Sequence, residues 1–294
     1  MSRAGGVVLV TGAGGPAGRS LSAQLRERGV RVLGVDLVPP ADAPEVLAVP
    51  PVTAADYVTT LHRLAAEHQV SLIIPTVAEE LQIVAPHADG PVAIVVGSVA
   101  SAALAHDKWW TARTLESHDV AVPRYVRPSP GTAAEDLGNL LGWPFVTKPR
   151  VGRGGRGVRV HRAADVGDRR FPAEPPLIAQ EFAPGAEYVV NVYRPWRRGR
   201  VTAVVLRKTD RTHGEIGNAL TVERVDAPDV AALAVDAVTA LDLCGPADLD
   251  IRRRLDGQAL VLEVNARFGA HSAAAPEVLQ GLLDEHDLRE LVTA

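Results

Sequence analysis

Asp248-Leu249-Asp250-Ile251 and Glu263-Val264-Asn265-Ala266-Arg267, with Asp256-Gly257 between them, read as a β-hairpin. Side chains alternate along a strand, so Glu263, Asn265 and Arg267 share one face while Leu262, Val264 and Ala266 face the core. With Asp256-Gly257 as a two-residue turn, Asp250 falls opposite Glu263, and Asp248 opposite Asn265. Like charges directly opposed on a sheet are destabilising. Such a face makes sense when a hard divalent cation sits among the carboxylate and amide oxygens. Magnesium, held by one or two carboxylates and by substrate phosphates, fits best. A solvated acidic face is the alternative, and it leaves Arg267 without a role.

The lysines point the same way. Among 31 basic residues only Lys108, Lys148 and Lys208 are lysines. Where arginine is used for nearly every cation, a lysine marks a place that needs a compact point charge rather than a planar fork. Lys148 ends a strand pattern that leads into Gly152-Arg153-Gly154-Gly155-Arg156-Gly157 and then a second strand. A P-loop would lead into a helix. A glycine hairpin between strands can instead fold over a phosphate chain, because its N–H groups approach closely. Leu177-Ile178-Ala179-Gln180-Glu181-Phe182, followed by Glu187, is an apolar strand turning polar at its end. It can offer backbone groups to a base and a carboxylate to ribose hydroxyls, or it can be ordinary edge-strand chemistry.

Over roughly the first hundred residues, strand and helix patterns alternate, as in a small parallel α/β unit. Gly12-Ala13-Gly14-Gly15-Pro16-Ala17-Gly18, with Asp36 closing the next strand, is close to a dinucleotide fingerprint. Short-chain dehydrogenases and epimerases also need a Tyr with Lys four residues later. The residues four positions beyond Tyr57, Tyr125, Tyr188 and Tyr193 are Leu61, Ser129, Val192 and Arg197. From Trp143 onward strands and turns dominate, interrupted by a helix at 228–241, so an α+β region with mostly antiparallel pairing follows.

A net charge of −4 argues against a general nucleic-acid or membrane-surface binder. The lone Cys244 excludes an internal disulfide and fits a reducing compartment. Met1 leads straight into a strand pattern with no signal-peptide pattern, and Val92 to Ala105 is too short to span a bilayer. A cytoplasmic protein is expected.

In their order along the chain these stretches resemble the ATP-grasp superfamily, in the branch of amino-acid-type ligases whose core is similar to carbamoyl-phosphate synthetase. The resemblance implies an α/β and α+β chain. Residues 1–104 would form a Rossmann-like pre-ATP-grasp domain, where a glycine turn occurs without a dinucleotide. Residues 105–181 would form the first ATP-grasp subdomain with its glycine lid, and 182–294 the second with its magnesium site. It also implies that Lys108, in His106-Asp107-Lys108, and Lys148 hold ATP phosphates under a lid including Gly154, Gly155, Arg156 and Gly157. Gln180, Glu181 and Phe182 would form the adenine hinge, and Glu187 would hold the ribose. Asp250, Glu263 and Asn265 would bind one or two Mg²⁺, with Mn²⁺ as a substitute, and Arg207 and Arg267 would stabilise the transferring phosphoryl group.

The implied activity is ATP-dependent joining of a small carboxylate, such as an amino acid, to an amine through an acylphosphate. His213 and Glu215 are candidates for the amine site, and Thr76–Glu80 and the segment around His271 for specificity. Phe268-Gly269-Ala270-His271 departs from the glycine pair usual after the Arg. The chain ends soon afterwards, so a compact ligase, or one served by a carrier protein or partner subunit, is expected, with a homodimer as the family default. The competing readings are a non-catalytic ATP-binding accessory subunit and a nicotinamide-dependent oxidoreductase or epimerase.

Overall fold

The computed structural model describes residues 6–286 other than 153, 214 and 215, and describes only the backbone of the remaining positions in 211–219. The N-terminal part runs β1 (Val7–Val10), α1 (Pro16–Glu27), β2 (Arg31–Asp36), β3 (Leu47–Ala48), α2 (Tyr57–Glu67), β4 (Val70–Ile74), α3 (Leu81–Val84) and β5 (Ala93–Ile94). The strands form a parallel sheet in the order β3-β2-β1-β4-β5. β1 is apolar throughout and buried on both faces, the pattern of a parallel strand covered on each side. Pro16 opens α1, where its missing N–H costs nothing.

The middle of the chain contributes α4 (Val99–His106), α5 (Lys108–Ser117), β6 (Tyr125–Val126), α6 (Ala134–Leu141), β7 (Phe145–Pro149), β8 (Arg159–His161) and β9 (Leu177–Glu181). The four strands pair antiparallel in the order β6-β9-β7-β8. The glycine run is thus the connection of a β-hairpin, between β7 and β8. α6 lies in a stretch whose Pro, Ser and Gly content reads as loop. Its apolar positions Leu137 and Leu141 pack beneath Phe145 and Phe171, so burial overrides local composition.

Next come β10 (Glu187–Arg194), β11 (Thr202–His213), β12 (Ile216–Arg224), α7 (Pro228–Ala240), β13 (Gly245–Arg253), β14 (Ala259–Asn265) and α8 (Pro276–Glu285). Their strands make a second antiparallel sheet, β12-β11-β10-β13-β14. α7 covers one face, with Val230, Ala234 and Ala237 packed against residues such as Tyr188 and Ile251. On the other face α8 packs Val278, Leu279 and Leu282 against Val189, Val204 and Leu206. The remainder of that second face carries the polar cluster described below. β11 and β12 pair as far as His213 and Ile216, so His213, a candidate for the amine site, is in a strand. Its side chain and all of Glu215 lie outside the described residues. Among the described residues no helix is long and apolar enough to cross a membrane.

The β13–β14 hairpin corrects one expectation in its turn. Arg254 N–H donates to Gln258 O at 2.8 Å, and Gly257, at φ 89°, returns its N–H to Arg254 O. Three residues, not two, therefore make the turn, and glycine fills its left-handed position. A bulge at Leu262 then offsets that extra residue. The ladder pairs Arg252 with Leu260 and Ile251 with Val261, skips Leu262, and resumes with Asp250 opposite Glu263 and Asp248 opposite Asn265. Leu262 is half-buried instead of facing the core, a consequence of the bulge.

Candidate active site

Each lysine is delivered to one place by a different element. Asp107 caps α5 by accepting the Trp109 N–H at 2.9 Å, and its carboxylate is clamped by Arg150 at the end of β7 (Nε to Oδ1 3.1 Å, Nη2 to Oδ2 2.5 Å). This fixes the first residue of the helix. Lys108 is 8% exposed and donates from Nζ to Gly152 O at 2.7 Å, with Glu263 Oε1 at 3.1 Å. Lys148, on β7, donates to Leu262 O at 2.8 Å. That acceptor is the residue left out of the ladder by the bulge. Burial pushes Lys148 down to about 8, although Glu263 favours its charge.

Lys208, on β11, sits between two carboxylates, donating to Glu187 Oε1 at 2.5 Å and to Asp250 Oδ1 at 2.7 Å. Burial disfavours its charge, but Asp250 and Glu187 outweigh it and hold Lys208 above the ordinary lysine value. The same contact keeps Asp250 below the usual carboxylate range despite its burial. Lys208 and Lys108 thus each meet one carboxylate of the opposed pair Asp250 and Glu263, and Lys148 meets the carbonyl that precedes Glu263.

Asp248 lies deeper in this face. Burial pushes it up to about 6, opposed by Arg267, whose Nη1 is 3.4 Å from Asp248 Oδ2. Its other oxygen is buried without a hydrogen-bond partner among the described residues. Gly269 makes room for it, since a Cβ there would stand 2.2 Å from Asp248 Oδ1. Asn265 donates from Nδ2 to Asp248 O at 3.3 Å, and Arg267 donates to Phe268 O at 2.9 Å.

Not every candidate joins the cluster. Arg207 pairs with Tyr188 on the opposite face of the sheet, half exposed, and its Nη2 meets Glu223 Oε1 at 2.7 Å. Strand alternation presents the next residue, Lys208, to the site instead. Lys208 is the site cation that the motif match to Arg207 passes over; its rarity in the chain is the signal that finds it. Glu181 is buried, but Arg124 Nε (2.6 Å) and Arg254 Nε (2.5 Å) occupy its carboxylate. They hold it low against the opposing effect of burial. Its N–H donates to Arg124 O at 2.9 Å. Gln180 is buried between β6 and β7. Phe182 lies under the Arg252 guanidinium, 4.8 Å from the ring centre, and Arg252 reaches Glu187 at 3.8 Å.

In the glycine run, Gly154, Gly155 and Gly157 have φ of 62°, 71° and 74°, a left-handed region that favours glycine. They and Arg156 are exposed at the tip of the hairpin, and Arg153 lies outside the described residues. Beside Glu263 and Asn265 a cleft opens, bounded by Ala78 and Glu79 of the N-terminal part, Ala105 and His106 of α4, and Gly152 at the start of the glycine loop. The N-terminal glycine turn is engaged with its own fold: Gly14 N–H donates to Asp36 Oδ2 at 2.9 Å, the carboxylate that a dinucleotide ribose would require.

Among the described residues no group of three or more His, Cys, Asp or Glu is arranged to hold a metal ion. The oxygen donors that converge are the carboxylates of Asp250 and Glu263 with the Asn265 amide beside them, a set whose hardness suits magnesium that keeps waters and phosphate oxygens as its other ligands.

Comparison with known proteins agrees with this arrangement. The family model of the ATP-grasp domain matches residues 105–271, more than half of the chain. A D-alanine–D-alanine ligase of Cupriavidus taiwanensis is 26% identical over 268 residues, covering 86% of this chain and 77% of that protein. An L-amino acid ligase from Bacillus licheniformis superposes with a TM-score of 0.70 at 17% identity, over 92% of this chain and 69% of the other. The N5-carboxyaminoimidazole ribonucleotide synthetase of Thermotoga maritima gives 0.65 at 19% identity, over 89% and 68%. The biotin carboxylase of Campylobacter jejuni gives 0.70 at 14% identity, over 97% and 70%. With its ordered lysines, glycine hairpin and opposed carboxylates, the chain belongs to the ATP-grasp family of ATP-dependent ligases.

Proposed function

We propose that this protein is a carboxylate–amine ligase that activates a small carboxylic acid, such as an amino acid, as its acylphosphate. A carboxylate oxygen attacks the γ-phosphorus of ATP, the bond to the β-phosphate oxygen breaks, and ADP leaves. The amine nitrogen then attacks the acyl carbon, phosphate leaves, and the amine's proton passes to solvent or a base. Such transfers need positioning and charge neutralisation more than covalent help. The observation that carries the assignment is the convergence of Lys108, Lys148 and Lys208 on the hairpin that opposes Asp250 and Glu263.

In this scheme Lys108 and Lys148 hold phosphate oxygens, and the loop at 152–157 folds over them to exclude water. Lys208 sets the geometry of Glu187 and Asp250. Asp250, Glu263 and Asn265 are the residues that would hold Mg²⁺, or Mn²⁺ in its place. Bound there, the ion would neutralise charge on the β- and γ-phosphates. Arg267, held by Asp248, faces the transferring group, and Arg207 has no part. Phe182 and the chain beside it form the hinge against adenine, with Glu187 near the ribose. The three units are 1–104, a Rossmann-like pre-ATP-grasp domain, then 105–181 and 182–294. An oxidoreductase is disfavoured by the engagement of Asp36 with Gly14.

Hydroxylamine trapping tests the intermediate. With Mg-ATP and the correct carboxylate, the protein should yield the corresponding hydroxamate, and Glu263→Gln should not. ADP release that yields no hydroxamate with any accepted acid would exclude the acylphosphate route.

A further inference from the structure

Two facing residues next to Arg267 each bury a polar atom that the chain leaves unsatisfied. Asn191, on β10, is 1% exposed, and its Nδ2 has no acceptor among the described residues. Directly opposite, on β13, Asp248 buries Oδ1 without a donor among the described residues. Opposed residues share one face of a sheet, with Cβ atoms about 4.5–5.5 Å apart. A donor and an acceptor placed so can meet directly or through one water. The row continues on both sides, running Val204, Asn191, Asp248, Asn265 across four strands.

Packing alone does not call for an amide at this position. On the same face of β10 stand Val189 and Tyr193, and beside Asn191 on β11 stands Val204, all members of the apolar layer under α8. A buried amide without an acceptor is destabilising there, and such exceptions mark places where function overrides packing. Asp248 supplies the reason, because its carboxylate is short of donors. Arg267 Nη1 reaches Oδ2 only at 3.4 Å while donating to Phe268 O at 2.9 Å. Asn265 donates to the Asp248 carbonyl rather than to the carboxylate. Gly269, which has no side chain to offer, lies against Oδ1, where a Cβ would stand 2.2 Å away. As Arg267 turns toward a transferring phosphoryl group, its long contact with Asp248 loosens further. Asn191 Nδ2 is the donor directly across the strand pair.

We infer that Asn191 is a positioning residue for phosphoryl transfer: its amide takes up Asp248 as Arg267 engages the transferring group. Arg267 then moves without stranding a carboxylate oxygen in the sheet. The inference rests on the role proposed above for Arg267. Asn191 touches neither nucleotide nor acid and acts only through Asp248.

Asn191→Val and Asn191→Thr test this, since the two β-branched side chains suit a strand, match in shape and differ in one hydroxyl donor. Turnover is read on the whole protein as ADP release from Mg-ATP in a mixture of the protein amino acids and small carboxylic acids. Asn191→Val should lower kcat about tenfold or more, the equivalent of one hydrogen bond to a charged group. Asn191→Thr should recover most of that loss, and KM for ATP should be unchanged in both. The thermal midpoint of Asn191→Val should be no lower than that of the parent protein, because the change removes a buried donor without an acceptor. In an Asp248→Ala background, Asn191→Val should cost no further turnover. Unchanged kcat in Asn191→Val, equal losses in the Val and Thr variants, or a further loss in the Asp248→Ala background overturns the role and leaves the ligase proposal standing. An Asn191→Val chain that is less stable or does not fold shows the amide to be structural and overturns it too. A parent protein that releases no acid-dependent ADP defeats the ligase proposal and this role with it.

Discussion

Asp250 stands directly opposite Glu263 across β13 and β14, and each carboxylate is matched by a lysine from another element. Lys208 meets Asp250 at 2.7 Å and Lys108 meets Glu263 at 3.1 Å. The repulsion of a like-charged cross-strand pair is thereby offset within the chain itself. In the proposed function Lys108 and Lys148 would hold phosphate oxygens beside the pair.

Neighbouring cations on β11 should therefore behave in opposite ways. Lys208→Met leaves the buried Glu187 and the half-buried Asp250 without their shared cation and should cost about 3 kcal/mol, near the low end for removing one partner of a buried pair. Arg207→Ala removes only an exposed pair with Glu223 and should change stability by no more than about 1 kcal/mol. Urea denaturation of both variants, with turnover measured alongside, checks this. Equal losses would contradict the assigned faces.

Lys148 gives a pH signature with two signs. Its folded-state value, pushed down to about 8 by burial, lies below that of an unfolded lysine. The unfolded chain therefore binds the extra proton between these values, and stability of the nucleotide-free protein should rise with pH above about 8. Affinity for an ATP analogue should fall over the same range, because the phosphates lose their cation. Lys148→Met should abolish both slopes, read by thermal denaturation and by titration at pH 7 to 10.

Gly269→Ala probes how Arg267 is held. The added carbon would sit 2.2 Å from Asp248 Oδ1 and 2.4 Å from its Cγ, a short, half-buried side chain. A loss of about 1–3 kcal/mol is expected. Turnover should fall more than ATP affinity, since Asp248 would shift Arg267 away from the transferring group. Unchanged turnover in a folded variant would separate Asp248 from Arg267.

Much of the site was legible in the sequence because strand parity and lysine scarcity are local properties. The opposition of Asp250 and Glu263 follows from alternation and a two-residue turn, whereas the turn has three residues. The bulge at Leu262 supplies the missing residue, and no local pattern announces it. The same bulge frees the Leu262 carbonyl for Lys148. Arg207 and Lys208 show the limit of motif matching, where a shift of one residue exchanges the faces of the sheet. The occupation of Glu181 by Arg124 and Arg254 was invisible for another reason: those partners are 57 and 73 residues away in sequence. The glycine turn at Gly12 was legible as a tight turn, but its partner loop at Thr76 and Val77 is a tertiary fact.

In the proposed function the opposed carboxylates serve ATP-driven activation of a carboxylic acid. Its most direct test is ADP release from Mg-ATP across a panel of amino acids and small carboxylates, with Glu263→Ala in parallel. Release should depend on particular acids, fall by about a hundredfold or more in the variant, the scale of losing one charge-stabilising group, and be restored by none of the panel. Release that is indifferent to added acid, or that survives Glu263→Ala undiminished, would contradict it.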